Sequence, residues 1–319
     1  MRKLINISLV VFVGYFNVGC DDIFEEDITN DFVNITSPKN GIVLTGNSVQ
    51  FRWDLIDGAN AYRVQVVEQF TQIRSLDSLV EGNSFTFGLN PGEYSWVVRA
   101  ENFAYETAYS FPELFTLVSS NDLSNQTVFL GFPSQDYYTN TDEIILTWDE
   151  IQSADSYNLE IDKTFRGNTG TEVQFLGITN TNYTLDSSVL SEDAIYTWKV
   201  RGVNENSSTK FTSRRIFLDT QNPNQPMLNL PNSDDTTTDI VNFSWSLGSD
   251  SGEIKSPVSS ILEVAIDNGF GNIILTENVD ENSKQIVFTS KGEYYWRVKA
   301  IDQASNQSIP SEVRKLTVQ

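Results

Sequence analysis

Tryptophan falls in one pattern in this chain, and the pattern repeats three times. Of the six tryptophans, the first of each pair closes an alternating run: Val49-Phe51-Trp53, Ile144-Leu146-Trp148 and Val241-Phe243-Trp245. The second sits in a Tyr-x-Trp-x-Val-x-small run: Tyr94-Trp96-Val98-Ala100, Tyr196-Trp198-Val200-Gly202 and Tyr294-Trp296-Val298-Ala300. Apolar residues two apart, with polar ones between, mark a strand with one buried face. The pairs recur at intervals of roughly 95 residues, the size of a small all-β domain. No stretch carries a helical period, so the chain reads as all-β and as three related units.

Composition narrows the chemistry. Twenty phenylalanines and 12 tyrosines give each unit the material for a full core. The only cysteine is Cys20, which rules out an internal disulfide framework. Histidine is absent, and with it go the usual general base near neutral pH and the commonest zinc or copper ligand. No cofactor and no metal are expected. A formal charge of −22 excludes nucleic acid as a natural partner, because phosphate backbones require a basic footprint.

The first 19 residues read as a leader. Arg2 and Lys3 form a basic start and Leu4 to Val18 is mostly apolar, too short to span a bilayer comfortably. The run ends in Asn17-Val18-Gly19-Cys20. A small residue followed by cysteine at this point resembles the lipobox of bacterial lipoproteins, although that family usually carries leucine where Asn17 stands. The resemblance implies that Cys20 becomes the lipidated first residue and that the protein meets the membrane through this anchor. The acidic run Asp21-Asp22-Ile23-Phe24-Glu25-Glu26-Asp27 follows. It resembles the surface-export signal of Bacteroidetes lipoproteins, implying an outer-membrane location facing the exterior. A solvated tether over residues 20–31 is the plainer reading, and the two are compatible.

Turn-rich segments divide the rest. The first unit is placed at 32–118, the second at 126–219 and the third at 226–319. Ser119-Ser120-Asn121-Asp122-Leu123-Ser124-Asn125 reads as a flexible linker, whereas Thr220–Pro226, with two prolines, reads as a stiffer one. Tyr62-Val64-Val66, Tyr157-Leu159-Ile161 and Leu262-Val264-Ile266 are assigned to equivalent strands. The run Leu89-x-Pro-Gly-Glu-Tyr94-x-Trp-x-Val-x-Ala100-Glu-Asn102, with its counterparts in the other two units, is similar to the E–F corner and F strand of fibronectin type III domains. This resemblance covers almost all of residues 32–319. It implies three tandem immunoglobulin-like β-sandwiches of seven strands each, with Tyr94, Tyr196 and Tyr294 as corner tyrosines.

No catalytic motif rides on the repeat: there is no Gly-x-Ser-x-Gly elbow, phosphate loop, dinucleotide glycine run or zinc spacing. The expectation is therefore a protein that is not an enzyme, with no catalytic residues. Trp53, Trp96, Trp148, Trp198, Trp245 and Trp296 lie in phase with apolar neighbours and read as core, not as sugar-stacking platforms. Aromatics outside the pattern are the ligand-binding candidates: Phe103, Tyr105, Tyr109 and Phe111 just beyond the Trp96 strand, and Tyr137 and Tyr138 in the second unit. Packing at the sandwich edge is the competing reading. Asp250-Ser-Gly-Glu253 and Ala300-Ile-Asp302-Gln-Ala-Ser-Asn306 are oxygen-rich turns that raise calcium, but neither has EF-hand spacing, and they read as turn-stabilising Asp and Asn side chains. The functional expectation is a non-catalytic surface binding or scaffolding module, with capture of a polysaccharide as one form. An adhesin or a structural subunit bound to another envelope protein is the alternative, and a glycan-active enzyme a remote one.

Overall fold

The computed structural model describes residues 25–319, so Cys20, the leader and the start of the acidic run lie outside the described residues. The described chain forms two compact units, one holding most of the first sandwich and the other the second and third.

The first sandwich has eight strands: β1 (Ile35–Ser37), β2 (Ile42–Thr45), β3 (Ser48–Trp53), β4 (Ala61–Glu68), β5 (Arg74–Val80), β6 (Ser84–Gly88), β7 (Gly92–Glu101) and β8 (Glu113–Val118). One sheet has the order β1-β3-β6 and the other β2-β8-β7-β4-β5. Eight replace the expected seven because the edge segment splits around Pro38, so that its halves join opposite sheets. The third sandwich repeats this division. Met227–Leu230, Ile240–Ser246 and Ser283–Val287 form its small sheet, and Asp235–Thr237 pairs in parallel with Arg314–Val318 at the edge of the large one. In the second, Ile144–Thr147 pairs with Asn182–Leu185, and a single bridge from Leu130 to Trp148 stands in for the edge strand.

The alternation seen in the sequence becomes the core. Along Ala194–Val203 every second residue is buried, and β4 and β7 show the same period. All six tryptophans are buried. Across the first sandwich Trp96 lies 4.8 Å from Phe51 and 6.5 Å from Trp53, and Trp296 meets Phe243 at 5.0 Å, ring centroid to centroid. Two expected corner tyrosines close their turns: Tyr196 donates to Glu192 O (2.9 Å) and Tyr294 to Ser290 O (2.8 Å). One clamp was not foreseen. Arg214 donates to the carbonyls of Leu130, Gly131 and Pro133, and Arg314 to those of Leu228, Asn229 and Pro231. In each case one guanidinium holds the edge segment whose backbone has left the small sheet.

Three expectations need correction. Ser260, not Leu262, occupies the place of Tyr62 and Tyr157: Tyr62 pairs with Ala100, Tyr157 with Gly202 and Ser260 with Ala300. The strand Val258–Ala265 ends before Ile266, which is exposed. The polar start Val258-Ser259-Ser260 disguised the register, and its chemistry differs: Ser260 Oγ accepts the Trp245 indole N–H at 2.7 Å, where Tyr62 and Tyr157 lay rings against Trp53 and Trp148. The 119–125 segment is not a free linker. Leu123 is fully buried in the second core, on a short 3-10 turn (Leu123–Asn125) capped by Asp122. The tether, too, is not wholly solvated, since Ile28 is buried. An apolar residue in a polar run escapes a composition reading, yet one such residue is enough to dock the segment.

Truncating Trp148 removes an indole from the centre of the second core. Trp148→Ala is expected to destabilise that sandwich by about 3–5 kcal/mol, read as a lowered denaturation midpoint. A midpoint within experimental error of the parent would overturn the core assignment.

Candidate functional site

The expected ring candidates separate by burial. Phe103 is 92% exposed on the loop after β7, and Phe111 is 81% exposed, 5.8 Å from half-exposed Phe32 with the rings inclined at 49°. Tyr105 is partly exposed. Tyr109 lies beneath the Arg99 guanidinium at 4.9 Å, which occupies one face of its ring. In the second sandwich Tyr137 packs edge-on against Phe132 and joins the core margin. Tyr138 stacks on Phe217 at 4.5 Å, near parallel. Rings with open faces are therefore concentrated on the first sandwich. The basic residues of the long strands are engaged: Lys199 with Glu160 and Asp162, Arg297 and Lys299 with Glu263, Arg99 with Glu101 and Glu106.

A second feature emerges only from comparing the three sandwiches. Six residues after Trp96, Trp198 and Trp296 stand Asn102, Asn204 and Asp302; five residues after Trp53, Trp148 and Trp245 stand Gly58, Ser153 and Asp250. In the first sandwich the Asn102 amide donates to Gly58 O and to Glu26 O of the entering chain, both at 2.9 Å. Gly58 (φ +77°) is required here, because a Cβ would stand 2.7 Å from the Glu26 side chain. In the second, Asn204 donates to Ser153 O (3.0 Å) and to Asn121 O of the entering chain (2.8 Å). One amide, with two N–H groups, thus ties the entering segment to the loop beneath it.

The third sandwich breaks the rule. Its equivalent positions are Asp302 and Asp250, and the entering chain contributes Asp219. The three carboxylates are all buried, and an oxygen from each lies within 4.8 Å of the others. Tying the entering chain falls instead to Asn306, whose Nδ2 donates to Asp219 O (2.8 Å) and Asp302 Oδ2 (2.9 Å). Asn140 of the second sandwich donates to Asn306 Oδ1 at 3.2 Å. Asp250 is well satisfied by Ser251 N and by Ser256 N and Oγ, and Asp302 by Asn306 N as well as Nδ2. Asp219 is not. Its Oδ1 accepts from Gln221 N at 3.2 Å, while Oδ2 is buried with no partner among the described residues.

Burial pushes the Asp219 carboxyl up to about 7, aided by the negative charges of Asp250, Asp302 and Asp193 and opposed by the Gln221 N–H. Asp302 is raised by burial against the pull of its hydrogen bonds from Asn306. Sequence reading named the runs that hold Asp250 and Asp302 but missed Asp219, which directly follows the strand Thr212–Leu218 and carries no motif. Comparing the three repeats at fixed distances from the tryptophans would have singled out Asp250 and Asp302.

No family profile matches the chain, and none of the curated proteins is similar to it. Among solved structures, the three domains FN1–FN3 of chicken CNTN1 overlay with a TM-score of 0.47 at 15% identity, covering 90% of this chain and 97% of that one. Fibronectin(III)-like modules of Clostridium thermocellum CbhA overlay with a TM-score of 0.39 at 13% identity, over 60% of this chain and 94% of theirs.

A carboxyl raised by folding favours the fold while protonated. Its contribution is complete below the unfolded value near 4 and is lost as pH rises towards 7. In buffer free of divalent cations, stability is expected to fall by about 3 kcal/mol between pH 5 and pH 8. Asp219→Asn should flatten this slope, and an unchanged slope in that variant would assign it elsewhere. On the strand order described above, the chain is a tandem array of three fibronectin type III-like, immunoglobulin-like β-sandwiches.

Proposed function

We propose that this protein is a non-catalytic surface module of a bacterial cell envelope, lipid-anchored in the outer membrane through Cys20 and facing the exterior. Its first sandwich captures a polysaccharide. The observation that carries this reading is the concentration of open rings on that sandwich: Phe103 on its loop and the exposed Phe32–Phe111 pair. Aromatic faces stack on the apolar faces of sugar rings, and neighbouring polar side chains such as Glu106 can take the hydroxyls. The absence of histidine and of a nucleophile motif in the sequence supports a binding role over an enzymatic one.

One observation favours a protein partner instead, as in an adhesin or a subunit of an outer-membrane complex. The Phe32 and Phe111 rings are inclined at 49° and do not form one flat platform. A tilted pair suits insertion into a partner's apolar surface better than stacking on a planar run of sugars.

Affinity electrophoresis of residues 21–319 through gels containing plant, algal and microbial polysaccharides separates the two. Retardation by one polymer, abolished in a Phe103→Ala/Phe111→Ala variant, is expected for glycan capture. No retardation by any polymer would remove that reading in favour of the protein partner. Anchoring is tested independently by detergent-phase partitioning of the full chain expressed in a bacterial host. The parent is expected in the detergent phase and Cys20→Ala in the aqueous one; a parent that stays aqueous would refute the anchor.

A further inference from the structure

We infer that Asp219, Asp250 and Asp302 bind a calcium ion where the entering chain meets the third sandwich. Three independent observations converge on this site. The three carboxylates bring one oxygen each to within 4.8 Å of the others, the spacing of donors around a single hard cation. Asp219 has no exposed surface, and its Oδ2 is buried without a partner among the described residues. An unpartnered buried carboxylate oxygen is costly, and beside two further buried carboxylates a cation is the partner that satisfies it.

The third observation is the repeat itself. Asn102 and Asn204 fill the equivalent place with an amide that donates to the entering chain and to the loop beneath it. In the third sandwich that donor has become Asp302, an acceptor, and the loop and the entering chain supply two more acceptors, Asp250 and Asp219. A convergent donor has been replaced by convergent acceptors; Asn306 answers Asp219 O and Asp302 Oδ2, and the buried Asp219 Oδ2 is left to a partner from outside the chain. An all-oxygen set without histidine or cysteine selects calcium over zinc or copper, and water fills the remaining positions of its six- to eight-fold shell. The Ser256 hydroxyl and the backbone N–H groups of Ser251 and Ser256 already hold Asp250 in place, and Asn306 holds Asp302, so these two ligands are preorganised.

The consequence is mechanical. Asp219 directly follows the last strand of the second sandwich, Thr212–Leu218, while Asp250 and Asp302 belong to the third. Calcium there crosslinks the two, adding to the hydrogen bonds from Asn306 to Asp219 O and from Asn140 to Asn306. The joint is stiff with calcium and looser without it.

The test is calorimetric titration of calcium chloride into residues 21–319 stripped with chelator, paired with thermal melts. One site per chain is expected, with a rise in Tm of about 5–10 °C at calcium a hundredfold above Kd. Asp219→Asn and Asp250→Asn should each weaken binding about 100-fold, whereas Asp27→Asn, exposed in the segment before the first sandwich, should not. Asp219→Asn relieves like-charge repulsion and is expected to melt no lower than the stripped parent, so lost binding cannot be attributed to misfolding. No heat and no Tm shift with millimolar calcium in the folded parent would overturn the assignment. So would binding that survives both substitutions, or a preference for magnesium over calcium.

Discussion

A buried indole on each sheet decides where the loops of these sandwiches emerge. Trp53 and Trp96 face one another across the first core, and their counterparts occupy the same places in the other two. Burial of so large a side chain fixes strand register, because a slip of one residue would turn it out to solvent. With both registers fixed, residues at set distances beyond each tryptophan must meet at one end of the sandwich. That geometric necessity brings Asn102 to Gly58, Asn204 to Ser153 and Asp302 to Asp250. The chemistry at the end of each sandwich is thus chosen residue by residue, on a frame that does not change.

The frame is used in two ways. In the first two sandwiches an asparagine amide satisfies two backbone carbonyls and draws the entering chain against the loop, closing the end with ordinary hydrogen bonds. In the third, carboxylates occupy the same positions and the closing amide moves to Asn306. The entering segments follow suit. Leu123 plugs the second core, and Asn224 N and Nδ2 both donate to Ser249 O of the third sandwich. Close approach is permitted by Gly248, where a Cβ would clash with the Asn224 backbone carbonyl.

Charge and rings are segregated. The excess of carboxylates, a formal charge of −22, repels other polyanions. The open rings lie on the first sandwich, while the buried carboxylates lie where the second meets the third. The proposed binding surface and the proposed calcium joint thus fall on different parts of the chain.

The sequence by itself determined the class and the repeat. Alternation around six tryptophans encodes strand, buried face and unit length together, since the period of two is a property of the extended backbone and survives any packing. It also placed Asp250 in a loop, whereas Asp302 proved to be the last residue of the strand Gly292–Asp302. Only the tertiary structure decided which residues share an environment. Ser260 took the place of a tyrosine because pairing with Ala300, not hydrophobicity, sets register there. Tyr137 and Tyr138 proved to be packed rings and Phe103 an open one, although all lie outside the strand pattern. Asp219 carries no local signal whatever. It is separated from Asp302 by almost a whole sandwich, and its buried, unpartnered oxygen exists only because the fold returns that strand to the point where the domain began.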